Sequence, residues 1–257
     1  MLETTHEALV DRQFGSRAAI YLDSAVHAQG TDLQALAMLI DPAAGARVLD
    51  LGCGAGHVSF TVAPRAGEVV ACDLSREMLS VVENAAVERG LSNITVHQSA
   101  AETLPFPNDS FDHVLSRFSA HHWRDFEAGL REAARVLKPS GTAAFVDALS
   151  PGVPLLDTWL QAAELLRDPS HVRDYSRMEW EAALVRAGLK PGVVTGWRLR
   201  MEFTSWTERM RTPQLNADAI RALQNAMSDS VGRYFAFGAD GSFDLDCGLF
   251  QASRLPG

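Results

Sequence analysis

The segment ARVLDLGCGAG, from Ala46 to Gly56, decides the fold. Val48 and Leu49 lead into an acid, Asp50, and glycines then alternate at Gly52, Gly54 and Gly56. A short apolar run of this kind reads as a buried parallel strand, because helices cover both faces of such a sheet. A glycine turn directly after the strand lets the backbone approach a ligand, since no Cβ stands in the way. His57 to Pro64 can open a helix whose first amides face the turn. Strand, glycine turn and helix together mark a nucleotide-type crevice.

Spacing narrows the ligand. A dinucleotide fingerprint, G-x-G-x-x-G, would put His57 at its third glycine if counted from Gly52, and Ser59 if counted from Gly54. A phosphate loop needs a lysine after its last glycine, and none lies here. The pattern that fits is an acid followed by x-G-x-G-x-G, carried by Asp50, Gly52, Gly54 and Gly56. In this the segment resembles motif I of the class I S-adenosylmethionine-dependent methyltransferases. The resemblance implies an α/β, Rossmann-like sheet of seven mostly parallel strands in the order 3-2-1-4-5-7-6, with helices on both faces. It also implies an N-terminal helical lid over the cofactor, and a last strand set antiparallel between the fifth and sixth.

The whole chain agrees with one such domain. Its 257 residues fit a single large domain or one with a small appendage, and 47% hydrophobic content is enough for a substantial core. We divide it into N-terminal helices (1–41), a cofactor-binding core (42–150), a cap and acceptor region (151–187) and C-terminal strands and helices (188–257). A net charge of −9 argues against a nucleic-acid partner, which leaves a basic footprint. Cys53, Cys72 and Cys247 show neither a disulfide framework nor metal-ligand spacing. With no secretory leader and no apolar run approaching about 18 residues, a cytoplasmic protein without a membrane span is expected, as a monomer or homodimer.

Before the glycine turn, Leu33, Leu36, Ala37 and Ile40 recur at helical spacing, with Thr31 or Asp32 as the expected cap. After it, Glu68 to Cys72 reads as the second strand, and Asp73 follows about twenty residues after the first glycine, where an acid hydrogen-bonds ribose hydroxyls. The same acid suits the start of a helix over 75–89, whose Met78, Leu79, Val82 and Ala86 fall on one face.

The stretch SAAETLPFPNDSFDHVLSRFSAHHW, Ser99 to Trp123, extends the resemblance. It is similar to the ubiquinone/menaquinone-biosynthesis (UbiE-like, methyltransferase type 11) family, in which A-E-x-L-P-F precedes F-D-x-V. ARVLKPSG, ending at Gly141, matches that family's R-V-L-K-P-G-G, with Ser140 in place of a glycine. The likeness is strongest over 46–149. It implies S-adenosylmethionine as donor and S-adenosylhomocysteine as product, held by Asp50, Gly52, Gly54, Gly56, Asp73, Leu74, Met78, Ala101, Glu102 and Arg117. The family often has an Asp before its Ala-Glu pair; Ala100 stands there, which moves the expected adenine contact to Ala101 or Ser99.

His121 and His122 follow the fourth strand, Phe111 to Ser116, at the carboxyl end that faces ligands in open α/β sheets. Imidazole titrates near neutrality, so either can take a proton from an acceptor or orient it. HHWRD has no second ligand cluster, so no metal site is expected. A helix over 125–138 and a fifth strand over 141–149 should follow. The polar turn RDPSHVRDYSRMEW reads as a cap inserted after that strand, with Arg173 the leading acceptor-binding donor and Tyr21 a second contact from the lid. Helices over 203–211 and 213–230 and a last strand over 243–253 complete the reading.

The function implied is methyl transfer by in-line displacement to a small-molecule acceptor, on oxygen or carbon, of an aromatic or quinone-like kind. Two readings compete: a protein that binds S-adenosylmethionine without transferring its methyl, and a nicotinamide-dependent oxidoreductase, against which the failed G-x-G-x-x-G frame counts.

Overall fold

The computed structural model describes residues 5–15 and 30–255. Its strands are β1 (Arg47–Leu51), β2 (Glu68–Asp73), β3 (Ile94–Gln98), β4 (Phe111–Arg117), β5 (Leu137–Leu149), β6 (Leu189–Met201) and β7 (Phe243–Arg254). The helices are α1 (His6–Gly15), α2 (Thr31–Met38), α3 (His57–Val62), α4 (Arg76–Glu88), α5 (Phe126–Val136), α6 (Pro154–Arg167), α7 (Arg177–Arg186), α8 (Phe203–Arg209), α9 (Gln214–Ala226) and α10 (Asp229–Tyr234). The strands form one sheet in the order β3-β2-β1-β4-β5-β7-β6. β1 to β5 run parallel, and β7 is antiparallel to both β5 and β6.

Alternation along the strands splits the core into two layers, since successive side chains leave a strand on opposite faces. Val48, Leu115, Ala144 and Val146 pack with Leu36, Ile40 and Val62 on one face. Leu49, Val114, Ala143 and Phe145 pack with Leu130, Trp180 and Leu184 on the other. A separate cluster of Trp159, Leu160, Trp206, Phe235 and Phe243 seats the C-terminal helices on the β6–β7 end. The chain turns outward in both directions from β1 and β4, which are neighbours, and that divergence opens the crevice at their carboxyl ends. Pro191 lies in β6 at the sheet edge, where a missing N–H is tolerated, and the register slips between Pro191 and Val194.

Several boundaries differ from the sequence reading. Gly30, with no side-chain bond, stands at the start of α2 instead of Thr31 or Asp32; Asp32 instead pairs with Arg117. α5 starts after Asp125, whose side chain accepts from Ala128 N, but it stops at Val136, and β5 begins at Leu137 rather than Gly141. Pro139 explains the early exit: it disfavours helical geometry at Lys138, whose Nζ then reaches Asp112 at 2.8 Å. The helix expected over 213–230 is broken at Met227, which is extended (ψ 155°), into α9 and α10. The capping box at Ser176 and Glu179 forms as the spacing predicts. Among the described residues no helix is long and apolar enough to cross a membrane.

Candidate active site

The three motif glycines all have positive φ, 69°, 51° and 87°, and each is small for a different reason. A Cβ on Gly52 would lie 1.9 Å from Ser119 Oγ, so this glycine lets the β4 loop close over β1. A Cβ on Gly56 would lie 2.9 Å from both Phe60 and Val82, so that one serves α3–α4 packing. A Cβ on Gly54 would meet nothing within 4 Å, and Gly54 lines a cavity at the ends of β1 and β2.

That cavity brings together most of the residues singled out for the cofactor. Gly52, Gly54, Asp73, Leu74, Met78, Ala101 and Glu102 line it, as do Ser99 and Ala100. Asp73 takes Gly54 N at 2.8 Å and Ser75 N at 2.9 Å, so one carboxylate fixes both the glycine turn and the entry to α4. Each oxygen has a second lone pair left for a ligand hydroxyl. Burial raises the Asp73 carboxyl above its ordinary range against the pull of those amides.

Other candidates are placed elsewhere. Asp50 is 1% exposed behind the turn, where one oxygen binds Ser59 N at 2.9 Å and Ser59 Oγ at 2.6 Å. Burial pushes that carboxyl up to about 7. Gly56 does not face the cavity. Arg117 is buried in an ion pair with Asp32 and lies over the Phe118 ring, 4.9 Å from its centroid. Arg173 lies outside both of the cavities described here and ties Asp157 (3.0 Å) to the Glu179 capping box (3.4 Å). Tyr21 falls outside the described residues.

A second cavity adjoins the first. Phe14, Phe118 and His122 line both. Phe118 has φ 50°, a costly conformation for a bulky residue, which aims its ring between the cavities. α1 closes over the junction: His6 Nε2 meets His122 O at 2.9 Å, and the Phe14 ring packs edge-on against His122 at 4.9 Å. The walls of the second cavity are apolar at Leu199, Met201, Trp206 and Leu245, and its floor carries His121, Glu164, Asp168 and Asp174.

The two histidines differ in charge because their partners differ. His121 Nδ1 sits 2.5 Å from Asp147 Oδ1, and Asp147 is itself fixed by Ala120 N at 2.9 Å and Ala148 N at 2.8 Å. Burial opposes charge on His121, but the Asp147 carboxylate outweighs it and raises the ring to about 9. His122 Nδ1 meets the Ser170 carbonyl oxygen at 3.1 Å, so this nitrogen carries the hydrogen and Nε2 keeps a lone pair. Burial and the charge on His121 hold His122 down to about 4. Two adjacent rings are thus set apart in charge by their partners. Val172 N and Arg173 N both donate to His121 O, clipping the cap loop onto the histidine turn.

The sequence reading assigns no role to Asp168, Asp174 or Phe118, and notes Asp147 only for its place near the end of the fifth strand. The two cap acids stood in RDPSHVRDY beside the residues it chose; Asp147 stood at the strand end where ligands gather. Nothing in the sequence signals the backbone of Phe118. Among the described residues, no cluster of three or more His, Cys, Asp or Glu side chains has metal-holding geometry, and the three cysteines are free and buried.

A glycine-walled crevice at the strand ends, an acid at the end of β2 and this strand order define a methyltransferase of the class I, S-adenosylmethionine-dependent kind. The comparisons agree. A model described as a methyltransferase domain matches residues 49–145. The chain is 46% identical over 203 residues to the uncharacterized protein YafE of Escherichia coli strain K12, covering 79% of this chain and 98% of the relative. It is 38% identical over 218 residues to the uncharacterized methyltransferase YcgJ of Bacillus subtilis strain 168, covering 85% and 86%. The crystal structure of that species' YcgJ protein superimposes with a TM-score of 0.84 at 35% identity, over 88% of this chain and 99% of that one. A demethylmenaquinone methyltransferase of Listeria monocytogenes is 37% identical over 113 residues, 43% of this chain and 48% of the relative. The chain belongs to the UbiE-like, type 11 family of class I S-adenosylmethionine-dependent methyltransferases.

Proposed function

We propose that this enzyme moves a methyl group from S-adenosylmethionine, bound in the glycine-walled cavity, to a small-molecule acceptor in the second cavity. The observation that carries this reading is the shared wall: His122, Phe14 and Phe118 line both spaces. The first cavity suits the donor. Gly54 leaves room where any side chain would intrude, Met78 and Leu74 offer an apolar face, and Asp73 offers carboxylate oxygens for ribose hydroxyls.

S-adenosylmethionine, when bound, supplies an electrophilic methyl on a sulfonium. The chain's own work is positioning, which contributes on the order of 7–11 kcal/mol in well-oriented reactions. His122, neutral with a free lone pair at Nε2, accepts a hydrogen bond from the acceptor and orients it. His121, cationic beside Asp147, lines the acceptor cavity, and its charge helps keep His122 neutral. α1 keeps water from the junction. The apolar walls favour an acceptor with a hydrophobic body. The resemblance to quinone-pathway enzymes suggests a ring methylated on carbon or oxygen, whereas the buried acids of this cavity are a feature of their own, taken up below.

The test is incubation of the purified enzyme with methyl-labelled S-adenosylmethionine and a broad metabolite extract. Label should enter a small molecule. Tight donor binding with no transfer would favour a protein that only binds the nucleoside.

A further inference from the structure

The floor of the second cavity holds an unanswered hydrogen-bonding demand. Asp168 and Asp174 are each 1% exposed and line the cavity, and in each Oδ2 has no hydrogen-bond partner. Asp168 Oδ1 is occupied by Ser170 N at 2.8 Å and Ser170 Oγ at 2.6 Å, so that carboxylate is fixed in place with its other oxygen facing inward. Buried polar atoms are almost always paired, and one left open points to something the site is built to receive.

Asp168 Oδ2 lies 4.0 Å from His122 Nε2. That gap is too long for a hydrogen bond between them, yet one atom can sit within hydrogen-bonding distance of both. Both are acceptors: the carboxylate has only lone pairs, and His122 has committed its hydrogen to the Ser170 carbonyl. The atom between them must therefore donate twice. A hydroxyl donates once. A primary amine donates twice and keeps its lone pair free, directed away from both acceptors. Nearby charges are already engaged: Glu164 is paired with Arg167 at 3.1 Å, Asp147 with His121 at 2.5 Å, and Arg173 with Asp157 at 3.0 Å.

We infer that the acceptor is an amine with an apolar body, its nitrogen held between Asp168 Oδ2 and His122 Nε2 and its hydrocarbon against Leu199, Met201, Trp206 and Leu245. This rests on the methyl-transfer reading above and names its substrate class. The step balances: a nitrogen–carbon bond forms from the amine lone pair, the carbon–sulfur bond breaks with its electrons left on sulfur, and the nitrogen leaves as a methylammonium ion whose charge the Asp168 carboxylate balances.

The test is binding of benzylamine and benzyl alcohol, an isosteric pair, to the full-length protein by calorimetry and ligand-observed NMR, with and without saturating S-adenosylhomocysteine. Benzylamine should bind at least about ten-fold tighter, as a charge-assisted double donor does, and Asp168→Asn should bring the two within about two-fold. Asparagine keeps the oxygen that Ser170 N needs, and the wild-type preference stands as a readout whether or not the variant folds. Equal binding of the pair, as an ordered water in the gap would give, overturns the inference, as does an amine preference that survives in Asp168→Asn. Titration of S-adenosylhomocysteine alone tests the donor site separately: its failure would remove the methyl-transfer reading, while the amine preference is still read without it.

Discussion

The two cavities are built from different materials. The cavity proposed for the donor is shaped chiefly by backbone: a turn whose glycines leave space, amides gathered by Asp73, and a short parallel strand behind it, with Leu74 and Met78 completing the wall. The acceptor side is made of side chains: His121, His122, Asp147, Asp168 and Asp174, brought from β5, the histidine turn and the cap loop. A backbone site recognises a constant ligand and tolerates little change. A side-chain site can be rebuilt one residue at a time, which suits an enzyme class whose members share a donor and differ in acceptor.

Four changes test that division, from the largest expected effect to the smallest. Asp32→Ala strips the buried Arg117 guanidinium of its carboxylate and should cost about 3–5 kcal/mol in chemical denaturation. It acts on the fold beneath both cavities, so destabilisation below about 1 kcal/mol would show the pair to be incidental.

The His121–Asp147 pair should make stability fall on the alkaline side. The folded ring holds its proton to about pH 9, whereas the unfolded ring loses it near its ordinary 6.5. The stabilisation is thus complete below pH 6.5 and vanishes as pH rises through about 9, roughly 3 kcal/mol in all. His122 acts in the opposite sense. The unfolded chain takes a proton below 6.5 that the folded ring refuses until about 4, so stability also falls on acidification across that window. Urea midpoints from pH 4 to 10 should trace a dome, and Asp147→Asn should flatten its alkaline side. An unchanged alkaline slope would dissolve the pairing.

Asp73→Ala should weaken S-adenosylhomocysteine binding by about 1–3 kcal/mol in calorimetry, with little effect on amine binding in the second cavity. Equal affinity for the nucleoside would remove Asp73 from the ribose role. Ser176→Ala, which breaks the capping box under the cap loop, should cost about 1 kcal/mol of stability and leave nucleoside affinity alone.

The contrast also explains what could be read in advance. A site made of backbone needs glycine at fixed intervals and an acid at the next strand end, so Gly52, Gly54 and Asp73 stand out in a linear sequence. The strand order and the insertion of β7 came with the family likeness that those residues opened. A site made of side chains leaves no such trace. His121 meets Asp147 26 positions away, and Arg117 meets Asp32 across 85, through contacts that only packing creates. Arg173 drew notice for its charge, but Asp157 and Glu179 lie close along the chain and claim it. Arg117 lies at the strand end the sequence predicts, and its pairing with Asp32 comes from packing. The alternating glycines looked equivalent, yet only the atoms a Cβ would meet separate Gly54 from Gly56.

One plug in each cavity tests the account most directly. Gly54→Val fills the space left open on the donor side, and Leu199→Trp, at a half-buried wall position, fills the acceptor side. Nucleoside affinity and labelled-methyl transfer are measured for both variants. Gly54→Val should lose both, and Leu199→Trp should keep nucleoside affinity within about two-fold while transfer falls at least about ten-fold, the size of one misplaced contact near 1.4 kcal/mol. Full transfer in Leu199→Trp, or unimpaired nucleoside binding in Gly54→Val, would contradict the account.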